Sequence, residues 1–113
     1  MAKKRIPKKI IKIVQGYTQR LSKEEKLSIE KVIIFGSQAK GKPHQWSDID
    51  VCLISPSFKD FPRDLEFLWQ RRKDEEVMAG LEPIGFSKKD FKEGGALVEE
   101  IKRTGFEVKN KRL

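Results

Sequence analysis

Residues 36–54 read GSQAKGKPHQWSDIDVCLI, and this stretch decides how the rest of the chain is organised. Just upstream stands KVIIF, residues 31–35, whose β-branched and aromatic side chains predict a buried strand. Gly36 ends it. Residues 48–54 predict a second strand, stopped by Ser55-Pro56. Its later residues, Val51, Cys52, Leu53 and Ile54, are apolar on both faces, as in a central strand. Asp48 and Asp50 interrupt that character at its mouth. Side chains at i and i+2 of a strand point the same way, with Cα atoms roughly 6.6 Å apart. The two carboxylates therefore share a face, and Ile49 and Val51 begin the opposite one.

Paired carboxylates beside a core repel each other and lose hydration. Exposure at the strand end is one remedy. A bound divalent cation is the other, and carboxylate oxygens suit a hard ion such as Mg²⁺. The Gly36-Ser37 step bears on that choice. A glycine at a strand end lets the backbone approach a phosphate with no Cβ in the way. A short helical turn over residues 37–41 would present free N–H groups, and the Ser37 hydroxyl would add a donor. An ordinary strand-terminating turn uses the same pair of residues. If the two strands are neighbours, a phosphate cradle and metal-binding carboxylates lie side by side.

The flanks predict helices around a small sheet. Residues 8–27 read as a helix, with Pro7 at its start and Ile10, Val14, Tyr17 and Leu21 at helical spacing. Residues 62–80 read as the longest helix, with Leu65, Leu68, Trp69 and Val77 facing inward. Its RRKDEE string reads as a solvated face with intrahelical ion pairs. LEPIGFS, residues 81–87, predicts a third strand, which Pro83 places at an edge or a bulge. Ser87 and Asp90 resemble a capping box that opens a short turn. Residues 96–104 form a last helix ended by Gly105, and FEV a fourth short strand. The fold class is α/β (α+β), a small mixed β-sheet covered by helices.

A length of 113 residues with 37% apolar content suits one domain, 1–113, with basic terminal segments 1–9 and 109–113. The net charge of +8 is unevenly placed. Residues 1–12 carry six Lys/Arg and no acid, and residues 102–113 carry five against Glu107 alone. Those ends sum to +10, which leaves −2 for residues 13–101. The body is therefore not a basic nucleic-acid surface, although the tails could touch RNA or an acidic protein. One cysteine, Cys52, excludes a disulfide framework and fits a reducing cytoplasm. No apolar stretch reaches transmembrane length, so no membrane role is expected.

Gly-Ser, ten residues, then Asp-Ile-Asp running into Val-Cys-Leu-Ile resembles the signature of the minimal nucleotidyltransferase family, within the DNA polymerase β-like superfamily. Ser47 and Gly41 also fit it. The resemblance implies a nucleotidyltransferase fold with ATP as substrate. Its phosphates would lie on Gly36 and Ser37, helped by Ser47, Lys40 and Lys42. Asp48 and Asp50 would hold Mg²⁺. Glu82, in the Glu-Pro pair of the third strand, would be the third metal carboxylate and take the proton from the acceptor. Many relatives carry a basic residue after Gly-Ser, where this chain has Gln38. His44 reads as a loop residue, and Trp46 stacks on a base or covers the sheet.

Small members of that family pair with a helical HEPN-type toxin and act as its antitoxin. The resemblance therefore implies transfer of AMP from ATP to a hydroxyl, a tyrosine of that partner, in a homo- or hetero-oligomer. Two other readings stay open. One is a binding module that neutralises its partner by occlusion. The other is an RNA-end nucleotidyltransferase, which the near-neutral body argues against.

Overall fold

A computed structural model describes residues 6–39 and 48–109. Strand β1 (Lys31–Phe35) pairs antiparallel with β2 (Ile49–Ile54), which pairs parallel with β3 (Leu81–Phe86). A two-residue β4 (Phe106–Glu107) adds to the other side of β1. The order β3-β2-β1-β4 makes one mixed four-stranded sheet, and β2, apolar at both faces, is central as its composition predicts. The helices are α1 (Lys8–Glu24), α2 (Phe61–Gln70), α3 (Asp74–Met78), α4 (Lys88–Glu93) and α5 (Ala96–Thr104).

Strand alternation splits the core in two. Val32, Ile34, Ile49, Val51, Leu53 and Leu81 pack with the buried face of α1, which presents Val14, Tyr17 and Leu21, and with Leu68 of α2. Ile33, Phe35, Cys52 and Ile54 fill the opposite face beneath Ile101 of α5. Each fully buried aliphatic side chain contributes roughly 1.5–3 kcal/mol, so both faces are strongly fixed. A one-residue slip of β2 would exchange the two sets and carry Asp50 into the larger core.

Helix α1 stops at Glu24, short of the residue 27 predicted. Lys26 adopts a left-handed conformation (φ 56°), and the Leu27 N–H returns to the Leu21 carbonyl at 3.3 Å. The larger correction concerns residues 62–80, which form two helices rather than one. Lys73 is extended, and its N–H donates to the Glu76 carboxylate at 2.7 Å, starting α3 afresh. RRKDEE is not a purely solvated face. Glu76 is 7% exposed and pairs with Arg20 of α1 at 2.6 Å. Arg20 also donates to the Arg71 carbonyl, and the Tyr17 hydroxyl donates to the Leu68 carbonyl at 2.6 Å. Burial pushes the Tyr17 phenol far above its ordinary range, so it stays a neutral donor. Val77 and Trp69, expected inside, are partly exposed.

Pro83 does lie in an edge strand. The Gly80 and Phe86 carbonyls bond β2 and the residue after it, so those of Leu81 and Pro83 face the free border. Two side chains from the α2 region meet them. The Trp69 indole donates to the Pro83 carbonyl at 2.9 Å, and Arg72 donates to the Leu81 carbonyl at 3.0 Å while stacking on the Trp69 ring. Ser87 caps α4 by accepting the Asp90 N–H, as its sequence predicts.

Candidate active site

The end of β1 and the beginnings of β2 and β3 meet at one border of the sheet. Phe35 stands opposite Asp50 across the β1–β2 ladder, so the chain enters its turn at Gly36 directly beside that carboxylate. Gly36 has a φ of 73°, which a residue bearing Cβ adopts at a cost. A Cβ here would also run into the Asp50 carboxylate oxygen. The glycine thus serves conformation and close approach together. Ser37 follows, half-buried, and Gln38 and Ala39 are buried. The Gln38 side-chain oxygen finds no hydrogen-bond partner among the described residues.

Asp50 and Glu82 occupy the same rung of the parallel β2–β3 ladder. Adjacent strands lie ~4.8 Å apart, so same-face side chains on one rung touch. Their carboxyls interact, and the contact favours the charged form of Asp50 and the protonated form of Glu82. Desolvation raises the proton affinity of Asp50 above the usual carboxylate range, and the Asp48 and Glu100 charges add to it. Glu82 is raised likewise, by desolvation first and then by Asp48 and Asp50, with Arg72 opposing. Asp48, exposed just before β2, faces both.

This donor set fits a divalent cation. Two carboxylates on one rung repel each other, and a divalent cation between them would relieve that repulsion and neutralise Asp48 as well. Among the described residues no three His, Cys, Asp or Glu side chains are gathered at metal-ligating distance. Asp48, Asp50 and Glu82 lie near enough to shift one another's proton affinity. Gly36 and Ser37 adjoin them. Lys40, Lys42 and Ser47 fall outside the described residues, as do Gly41, His44 and Trp46.

Two participants escape a reading of the sequence. Glu100 of α5 adds to the negative field on Asp50, and Arg72 offsets that field at Glu82. Glu100 flanks the buried stripe Val98–Ile101–Thr104, a sign that it borders the sheet, but the periodicity does not say which end it reaches. Arg72 lies in the string that reads as a solvated helix face.

The sequence matches the nucleotidyltransferase domain family over residues 8–107. The chain belongs to that family. Among solved structures, this nucleotidyltransferase is similar to a candidate nucleotidyltransferase from Sulfolobus solfataricus. The TM-score is 0.65 at 13% identity, over 91% of this chain and 82% of that one. It is also similar to a chain of a toxin–antitoxin solved with AMP-PNP. There the TM-score is 0.56 at 13% identity, over 87% of this chain and 74% of that one. At such identity the likeness speaks for the nucleotidyltransferase fold. No curated protein sequence gives a significant match. No helix among the described residues is long and apolar enough to cross a membrane.

Proposed function

We propose that this nucleotidyltransferase transfers AMP from ATP to a tyrosine hydroxyl of a helical HEPN-type toxin and thereby acts as its antitoxin. The observation that carries the reading is the Asp50–Glu82 carboxyl pair, with Asp48 beside it, packed against the turn at Gly36. Likeness in fold to a toxin–antitoxin solved with AMP-PNP supports the choice of nucleotide and of a protein partner.

Asp48, Asp50 and Glu82 would hold Mg²⁺, which supplies charge neutralisation at the α-phosphate and the leaving pyrophosphate. The missing side chain at Gly36 lets the turn come up against the Asp50 carboxylate, and Ser37 would donate to a phosphate held there. The acceptor oxygen attacks the α-phosphorus, a new P–O bond forms, and the bond to pyrophosphate breaks. Glu82 accepts the proton released by the hydroxyl, since it stands at the open border and its proton affinity is already raised. Holding both reactants in line is the larger part of the rate gain. Lys40, Lys42 and Ser47 would steady the leaving phosphates.

The test is incubation of the chain with α-labelled ATP, Mg²⁺ and the cognate toxin. Label on a toxin tyrosine, lost with Asp48→Asn or Asp50→Asn, is expected. Neutralisation of the toxin by those variants without any label would replace transfer by occlusion.

A further inference from the structure

The end of the sheet remote from the carboxylates carries a second organised surface. Three phenylalanines run across it in sequence: Phe61 of α2, Phe86 of β3 and Phe91 of α4. Their ring centroids are 6.2 and 6.3 Å apart. Phe61 is 47% exposed, and Phe86 and Phe91 are half-buried. A linked aromatic stripe of this kind marks an interaction surface more than scattered exposed residues do.

Two recesses of nearly equal size flank the stripe and have opposite charge. One, of about 330 Å³, lies at Phe58, Phe61 and Phe86 and is rimmed by Asp60, Asp64, Asp90 and Glu93. The other, of about 370 Å³, lies at Ile54 and Phe91 and is rimmed by Lys31, Lys88 and Lys92 against Glu30 alone. Lys102 adds a further ammonium 5.4 Å from the Phe91 ring. Helix α4 is the divide, since it gives Lys88 and Lys92 to one recess and Asp90 and Glu93 to the other.

We infer that this face binds a second copy of the chain. A two-fold interface requires one patch complementary to itself. In the inferred dimer a half-turn about an axis through the Phe86–Phe91 stripe would lay the lysine recess of each copy over the acidic recess of the other, with the aromatic stripes in contact. A surface of mixed charge separated in this way is a poor match for RNA, which would meet the acidic recess, or for a purely acidic segment. The interface closes, so it yields dimers rather than filaments. It also leaves the Gly36–Asp50–Glu82 border open, because Ile54 and Phe86 lie at the opposite ends of their strands. The inference is independent of which acceptor the catalytic border serves.

Sedimentation velocity of the full chain tests it. The expected species at micromolar concentration and about 50 mM salt is a dimer, weakened roughly tenfold or more at about 500 mM salt. Lys88→Glu with Lys92→Glu leaves both recesses acidic, and Asp90→Lys with Glu93→Lys cancels the net charge of the acidic recess, where Asp60 and Asp64 then balance the two substituted positions. Each double variant alone should be monomeric with an unchanged circular dichroism spectrum. An equimolar mixture of the two should restore a dimer, which a folding defect in either would prevent. A monomeric wild-type chain, or charge-reversed variants that still dimerise separately, would overturn the assignment.

Discussion

Asp50 and Glu82 face each other on one rung of parallel strands, and burial raises the proton affinity of both. Both take up protons more readily in the folded chain than in the unfolded one. The fold therefore gains stability as pH falls through their folded values toward the ordinary carboxyl range, and loses it as pH rises back through them. In chelator at pH 7, Asp50→Asn and Glu82→Gln should each raise the melting temperature by roughly 1–5 °C and flatten its pH dependence. Mg²⁺ should stabilise the wild-type chain more than either variant. Both substitutions should abolish transfer, which labelled ATP measures alongside the melting curve.

Gly36 meets a different constraint. Alanine at this position takes a left-handed conformation and drives its Cβ against the Asp50 carboxylate. The backbone part costs about 1 kcal/mol, and displacement of Asp50 adds to it. In an Asp50→Ala background the second part disappears. A double-mutant cycle by urea unfolding should show the cost of Gly36→Ala falling to about 1 kcal/mol there. Equal costs in both backgrounds would remove the close approach from the account.

The Arg20–Glu76 pair should dominate the attachment of α1 to α3. Glu76 accepts from Arg20 at 2.6 and 2.9 Å and from the Lys73 N–H, so its loss leaves a partly buried guanidinium with the Arg71 carbonyl alone and uncaps a helix. Glu76→Ala should destabilise by about 3 kcal/mol. The urea midpoint should drop with the slope unchanged, and transfer measured well below that midpoint should be retained.

Cys52 sits fully buried in the face beneath α5, and burial pushes its thiol up to about 12 from an ordinary 9.0. The thiolate is the reactive form, so the native chain at pH 8 should resist iodoacetamide and label only on denaturation. Because its proton affinity is raised by folding, stability should decline as pH climbs from 9 toward 12. Mass spectrometry of the native and denatured chain checks the first expectation. Rapid native labelling would show that this face opens.

Much of this architecture is legible in single residues. The alternation around Asp50 announces a central strand with one polar end, Pro83 announces a border, and Ser87 a cap. Each is a local signal read within a few residues. The break between α2 and α3 is not of that kind. Leu65 and Leu68 set a helical phase but do not say where the helix stops, and the break follows from Glu76 turning to Lys73 and to Arg20, 56 positions away. Sequence spacing likewise brings Glu82 to a neighbouring strand, but only the ladder register sets it on the Asp50 rung. Glu100 depends on how α5 crosses the sheet.

The capped carbonyls of β3 have a consequence for the chain's behaviour in crowded solution. With Trp69 and Arg72 bonded to Pro83 and Leu81, and no amide hydrogen on the proline, a stray extended segment finds little to hold along that side. Templated growth into fibrils is thereby discouraged at the longer margin, and removing the indole would be the quickest way to invite it.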